Sequence, residues 1–293
     1  MVTLTSRITG ALLGHAAGGA LGAASDETWL WRPGGQAPGS RPDPTWAVLD
    51  LYLNGYTPEA AANRLVGGAN PAVIYFTGAL DATAGLLPAS ADPNTVTFRP
   101  WSESLLRALP TGLVRAELAQ RAAEARDLSG LTHGDWRSVD ACVAYCHLAS
   151  SLLDGADPLD AVTDVIEDSS IRVEVRQKVA GASVADFDPE DLDTSGCVLS
   201  TLEIAVWAVC QPGSLEDVLT RVVDVGRQAR TEGRSSSAKD YGAIAGGLLG
   251  ARHGAEAIPP AWVDGPGYRP LILDVAPSLV RLRTRQDHPG VTQ

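Results

Sequence analysis

The chain has 293 residues, of which 45% are hydrophobic and 20% are charged, a composition typical of a folded globular protein. Its formal net charge of −12 argues against the basic surface that nucleic-acid binding needs, and it disfavours adhesion to anionic membranes. The first residues, MVTLTSRITG, show neither the basic start nor the apolar core of a secretion signal. We therefore expect a cytoplasmic protein.

Two stretches carry a glycine at every fourth position: GALLGHAAGGALG, which starts at Gly10, and GAIAGGLLGARHG, which starts at Gly242. On an α-helix this spacing places the glycines along one face. Each interior glycine costs roughly 1 kcal/mol relative to alanine, so the pattern predicts close approach of another helix backbone. We predict that the two helices pack together as a central pair. His15 in the first stretch, and Arg252 and His253 in the second, disfavour the membrane alternative.

The rest of the chain follows a helical pattern, and no stretch alternates as a strand would. Several helices are predicted to begin at a polar residue followed by proline, as in Asp43-Pro44 and Asp157-Pro158. The predicted helices span residues 5–24, 43–54, 57–66, 71–87, 101–108, 111–127, 138–153, 158–168, 171–181, 198–209 and 214–229, followed by the second glycine helix. Residues 25–42, 88–100 and 186–195 are predicted loops. The sequence predicts one all-α domain over 1–293, with a core at about 5–265 and a C-terminal extension at 266–293.

The four cysteines are Cys142, Cys146, Cys197 and Cys210. The first two lie four residues apart on a predicted helix and are followed by His147. A metal site would need further ligands at a matching spacing, and the sequence shows none. We therefore interpret the cysteines as buried free thiols.

The stretch RITGALLGHAAGGALGA resembles the opening of the ADP-ribosylglycohydrolase family, and later stretches match in the family's order. They include Leu131-Thr132-His133, SLEDVLTRVVDVG (214–226) and, most specifically, GAIAGGLLGARHGAEAIPPAW (242–262). The resemblance implies an all-α fold that holds two magnesium ions in a central cleft. It also implies hydrolysis of the bond that joins ADP-ribose to an acceptor.

Magnesium prefers hard oxygen ligands, and this chain departs from the family where such ligands are expected. The family's Thr-Asp-Asp-Thr falls on residues 42–45, where Asp43 remains and Pro44 replaces the second aspartate. The family's Asp-x-Asp-Thr falls on 237–240 or, with a different gap, on 228–231, and both placements lose both aspartates. In the family's Gly-Asn-Gly-x-x-x-Arg stretch, only Arg107 agrees, followed by Pro110. We therefore expect no magnesium cofactor.

The resemblance places the candidate residues in two groups. The candidate catalytic carboxylates are Asp43, Asp240, Asp26 and Glu27, and the candidate ligand-binding residues are Lys239, Ser237, Thr45, Trp46 and His133. Each also has a structural interpretation, because carboxylates cap helices, tryptophans pack in cores and threonine and histidine start helices. His15 is interpreted as a packed core histidine. The Lys239 ammonium is predicted either to replace a metal and pair with Asp43 and Asp240, or to face solvent.

Three hypotheses for the function follow from this pattern. The first is a protein that has lost the dinuclear magnesium site and binds an ADP-ribose-like or nucleotide ligand, or a protein partner, without the standard hydrolysis. The second is a metal-independent or one-metal enzyme that acts on a glycosidic or nucleoside-type bond with Asp43 and Asp240 as acid and base. The third is a purely structural or interaction protein. Carboxylates that line a cleft beside Lys239 favour a ligand, whereas solvent-facing caps favour none.

Overall fold

A computed structural model describes residues 2–23, 44–65, 102–184, 192–233, 237–264 and 268–286. These ranges contain fourteen α-helices and no β-strand, which confirms the all-α prediction. The helices are Leu4–Gly22 (α1), Pro44–Leu53 (α2), Pro58–Leu65 (α3), Glu103–Leu106 (α4), Leu109–Val114 (α5), Leu118–Gly130 (α6), Trp136–Leu153 (α7), Pro158–Glu167 (α8), Val173–Ala182 (α9), Val198–Cys210 (α10), Leu215–Thr231 (α11), Ala238–His253 (α12), Pro260–Val263 (α13) and Tyr268–Gln286 (α14). The predicted helix at 71–87 and the predicted loops at 25–42 and 88–100 lie outside these ranges.

Helix starts follow side-chain caps that the sequence carries. Thr3, Asp135, Asp157 and Ser214 each accept a hydrogen bond from a backbone N–H in the first turn of their helix. The predicted single helix at 111–127 is wrong, because the chain breaks between α5 and α6. There Glu117 accepts hydrogen bonds from two backbone N–H groups of α6 and starts a new helix.

The two glycine-faced helices, α1 and α12, form the central pair that the sequence predicts. They pack antiparallel and so closely that a side chain does not fit between them. A Cβ atom built on Gly14 would lie 2.2 Å from the carbonyl oxygen of Gly246, and one built on Gly250 would lie 2.0 Å from that of Gly10. The same reciprocal contact joins Gly18 with Gly242, where a built Cβ lies 1.9 Å from the oxygen. Only glycine permits this approach along the whole face.

The remaining helices pack around this pair. α12 also contacts α10, α11 and α7, and Tyr145 of α7 donates a hydrogen bond of 2.9 Å to the carbonyl oxygen of Ile244. α10 is buried on nearly every side, as its apolar sequence predicts. Over the described ranges, no helix is long and apolar enough to cross a membrane.

The predicted C-terminal extension forms α14, which packs against α1, α5 and α2. Its anchor is Arg283, whose side chain is 2% exposed. The guanidinium donates to both carboxylate oxygens of Asp154 at 2.8 Å and to Ser150 Oγ at 3.0 Å. The buried guanidinium of Arg283 therefore holds α14 against α7.

Gly14→Ala tests the central contact. The added methyl group meets the backbone of α12, which cannot rotate away, so we expect the free energy of unfolding to fall by about 1–3 kcal/mol or more. Gly181→Ala is the matched control, because a Cβ built there meets nothing within 4 Å, and alanine in this helix should stabilise by up to about 1 kcal/mol. Urea unfolding measures both values. Equal effects of the two substitutions would contradict the close contact.

Candidate functional site

The candidate site lies where α1 ends and α12 begins, and the single turn of α4 ties its parts together. Ser102, directly before α4, donates a hydrogen bond of 2.7 Å to Asp240 Oδ2 in the first turn of α12. One turn later, the carbonyl oxygen of Leu106 accepts a hydrogen bond of 2.9 Å from the Thr45 hydroxyl of α2. Both side chains of the first bond are buried. The structure therefore places Asp240 inside the bundle and not on a solvent-facing cap.

Thr45 connects α2 to α1 as well as to α4. Its hydroxyl donates to Leu106, so it accepts at the 2.9 Å contact with His15 Nε2, and this histidine carries its proton on Nε2. Thr45 and His15 are both 0% exposed. The predicted interpretation of His15 as a packed core histidine agrees with this burial. The Thr45 hydroxyl serves the packing of three helices.

A second polar cluster begins at Arg107, the residue that follows α4. Arg107, 6% exposed, donates through Nη2 to the carbonyl oxygen of Leu128 at 3.1 Å and to the Thr132 hydroxyl. Thr132 Oγ1 in turn lies 2.8 Å from His133 Nδ1. Burial lowers the pKa of Arg107 to about 10, so the guanidinium stays charged. Burial and the neighbouring Arg107 charge lower the pKa of His133 to about 3, so its imidazole is neutral at pH 7.

Lys239 stands in the first turn of α12, directly against the end of α1. A Cβ built on Gly22 would lie 2.5 Å from Lys239 Cα, and the lysine is half-buried. The predicted partner Asp43 lies outside the described residues, and no ion pair joins Lys239 to Asp240, whose carboxylate accepts from Ser102. The reason is that neighbouring residues on a helix do not face each other. Among the residues that the structure describes, Lys239 has no ion pair.

The two possible placements of the family's second acidic motif occupy different surroundings. Gln228, Arg230 and Thr231 are exposed on the last turn of α11. Ser237 precedes α12, where its carbonyl oxygen accepts from the backbone N–H groups of Asp240 and Tyr241 at 2.9 and 3.0 Å. Only residues 237–240 face α4 and the end of α1.

The part of the chain that the structure describes does not fit a pair of magnesium ions. Within it, no three His, Cys, Asp or Glu side chains come close enough to hold a metal. Lys239 has no lone pair to offer when charged, and the Thr45 hydroxyl is already bonded to Leu106 and His15. Of the remaining candidates, Asp26, Glu27 and Asp43 lie outside the described residues.

Other predicted residues have mainly packing roles. Trp46 is 8% exposed and belongs to the hydrophobic core. Cys142 and Cys146 are buried free thiols as predicted, whereas Cys197 and Cys210 are only partly buried. Ser102 was not predicted as a site residue. The only sequence signal for it was its place in the stretch that ends at Arg107, and its bond to Asp240 joins positions 138 residues apart.

Comparison with known proteins identifies the family to which the chain belongs. The model of the ADP-ribosylglycohydrolase family matches residues 1–289, so the chain belongs to that family. A solved structure described as an ADP-ribosylglycohydrolase-related protein complex has the same fold, with a TM-score of 0.71 and 24% identity over 96% of this chain and 99% of that one.

Two curated relatives are named ADP-ribosylarginine hydrolase Tri1. The protein from Pseudomonas putida (strain GB-1) is 27% identical over 59% of this chain and 43% of its own length. The protein from Serratia proteamaculans (strain 568) is 23% identical over 66% of this chain and 50% of its own length. The chain thus spans about half the length of the curated relatives it matches.

The buried histidines predict that acid destabilises the fold. His133 has a pKa of about 3 and His147, also buried, one of about 4, against about 6.5 in an unfolded chain. Between these values the unfolded chain binds more protons than the folded one. The contribution of the two histidines to the free energy of unfolding is therefore complete above about pH 6.5 and is lost as the pH falls towards 4. Each histidine contributes a slope of up to roughly 1.4 kcal/mol per pH unit.

Urea unfolding at a series of pH values from 4.5 to 8 measures this slope. His133→Gln removes one titrating group. We therefore expect the free energy of unfolding to depend less steeply on pH below 6.5, by the equivalent of about one proton. An unchanged slope in this variant would show that His133 titrates normally in the folded protein.

Proposed function

We propose that this protein binds an ADP-ribose-type ligand where α1 ends and α12 begins, without the magnesium-dependent hydrolysis that the family resemblance implies. The observation that carries the proposal is Lys239. It is a half-buried cation, it falls on a family aspartate in one of the two placements that the resemblance allows, and it has no ion pair within the described part of the chain. A cation fixed at such a place suits an anionic ligand.

The chemistry of Lys239 matches the ligand class that the family and the named relatives suggest. A charged ammonium offers three donors and no acceptor, so it can bind diphosphate oxygens or ribose hydroxyls. It stands at the N-terminal turn of α12, where the helix dipole also favours negative charge. Ser237, the residue before that helix, presents a hydroxyl at the same turn. The ammonium and the helix N-terminus together supply positive charge, which the resemblance implies that two magnesium ions would supply in the family.

The absence of standard hydrolysis follows from the ligand set of residues 237–240. Serine and lysine replace the two aspartates of the motif, and the remaining carboxylate, Asp240, is bonded to Ser102 at 2.7 Å. Asp240 lies one residue beyond the second family aspartate and faces α4. The enzyme alternative has one observation in its favour, since Asp240 is a buried carboxylate in the site. Metal-independent turnover would support that alternative.

Isothermal titration calorimetry with ADP-ribose tests the binding. We expect the same dissociation constant in EDTA and in millimolar magnesium, because no step of binding uses the metal. Lys239→Ala should weaken binding roughly tenfold or more, as for the loss of a charged hydrogen bond, and Lys239→Arg should retain part of it. Arg281→Ala is the control, because it removes one positive charge from an exposed side chain of α14.

Incubation with ADP-ribosyl-arginine tests the chemistry. We expect no release of ADP-ribose with magnesium or without it. Magnesium-dependent release would contradict the proposed loss of the metal site, whereas failure of ADP-ribose to bind the parent protein would contradict the ligand.

A further inference from the structure

We propose that the groove between α14 and the end of α2 binds a small soluble amphipathic anion, a molecule with a short apolar body and one phosphate or carboxylate group. This site is separate from the one proposed above for ADP-ribose. Arg281 and Arg285 bind the anionic group. The apolar body lies on Leu53, Val275 and Leu282.

The groove is large enough for a small molecule and has an apolar wall. Its volume is about 320 Å³, at the lower end of the range of roughly 300–1,000 Å³ that is usual for small-molecule sites. Leu53, Val275 and Leu282 line it, and each is a half-buried side chain packed against the core. The wall therefore exposes apolar surface that a ligand can cover.

A buried anchor sets the orientation of α14 in this groove. Arg283 is 2% exposed and is bonded to Asp154 of α7. Residues two positions away on a helix point roughly 200° from it, so Arg281 and Arg285 both lie on the face opposite Arg283. The same geometry places these two arginines only about 40° apart around the helix. Both line the groove, which is therefore formed before a ligand binds.

The two arginines supply positive charge that the described part of the chain leaves without a carboxylate partner. Arg281 Nη2 donates a hydrogen bond of 2.7 Å to Ser278 Oγ, and a guanidinium has five N–H donors, so most of its donors remain for a ligand. At a spacing of four residues, the side chains of Arg281 and Arg285 are neighbours and their charges repel. An anion between them removes this repulsion and accepts charged hydrogen bonds from both.

Asp274 gives the groove a direction. It lines the same groove but precedes Arg281 by seven residues, roughly 10 Å along the helix, which is about one Debye length. Its carboxylate therefore does not neutralise the arginines, and it disfavours a second anionic group at its own end. The anionic group of the ligand lies at Arg281 and Arg285, and the apolar body extends over Leu282 and Val275.

The groove lies away from α4, at the far end of α2. Thr45, near the start of α2, donates to the carbonyl oxygen of Leu106 in α4. Leu53, which lines the groove, is eight residues further on, roughly 12 Å along the helix. We therefore expect ADP-ribose and the groove ligand to bind independently.

Isothermal titration calorimetry with hexyl phosphate tests the site, because this probe carries both an apolar chain and an anionic group. We expect one molecule to bind per chain, in EDTA as in magnesium. Inorganic phosphate and hexanol should each bind at least about tenfold more weakly, since burial of about two methylene groups is enough for that ratio. Absence of hexyl phosphate binding, or equal binding of inorganic phosphate, would overturn the proposal.

Substitutions locate the binding. Arg281→Gln should weaken binding of hexyl phosphate about three- to tenfold, and Arg281→Gln combined with Arg285→Gln should reduce it to the level of hexanol. Val275→Thr keeps the shape of the wall and should weaken binding about two- to fivefold. Arg269→Gln is the matched control, because it removes the same charge from an exposed residue of α14 that pairs with Asp264. Unchanged binding in the double variant, or an equal loss in Arg269→Gln, would contradict the site.

Vesicles that contain phosphatidic acid distinguish a free ligand from a lipid, since both carry an apolar chain and a phosphate. We expect the protein not to sediment with them, because its net charge of −12 opposes adhesion to an anionic surface. Sedimentation that the double arginine variant abolishes would overturn the small soluble ligand.

This proposal and the proposed function fail independently. Lys239→Ala and saturating ADP-ribose should both leave the dissociation constant of hexyl phosphate unchanged. Loss of hexyl phosphate binding under either condition would show that the probe occupies the ADP-ribose site and would overturn the groove. If the parent protein does not bind ADP-ribose, the proposed function fails while the groove is still decided by its own variants.

Discussion

The backbone contact between α1 and α12 is the constraint on which the rest of the structure depends. Reciprocal glycines place the carbonyl oxygens of one helix where a side chain of the other would stand, with 2.1 Å between a Cβ built on Gly246 and the oxygen of Gly14. This contact fixes the register of the two helices, because a shift would bring side chains into backbone. Two helices more than 200 residues apart in sequence are thereby joined, and the other helices pack against the pair.

The same register determines what meets at the candidate site. The end of α1 lies against the start of α12, so opposite helix dipole ends are adjacent. Lys239 is held beside Gly22, while Asp240, one residue on, points to Ser102 before α4. The short α4 then links this carboxylate to the cluster around Arg107. A packing contact between two helices thus sets the positions of the groups that carry the chemistry.

Local patterns made much of this architecture predictable from the sequence. The glycine spacing predicted the central helix pair. Polar residues before proline or before apolar runs predicted most helix starts. Both signals act within one turn of a helix, so they can be read from the sequence. The break at Glu117 was missed, since a glutamate cap resembles an ordinary helix residue. The predicted pairing of Lys239 with Asp43 and Asp240 came from the idea that an ammonium replaces the charge of a lost metal, and charge compensation does not specify the direction of a side chain. The Ser102 bond and the Arg107 cluster depend on contacts between distant segments, which one sequence does not reveal.

The most direct test of the ligand role of Lys239 uses the fact that the chain has only two lysines, Lys178 and Lys239. Reductive methylation with ¹³C labels both amines and keeps their charge, and Lys178 serves as an internal reference because it pairs with Glu203 at 2.9 Å. On addition of ADP-ribose, the account predicts that the Lys239 signal moves while the Lys178 signal stays, in EDTA as in magnesium. An unmoved Lys239 signal in a protein that binds ADP-ribose would contradict it.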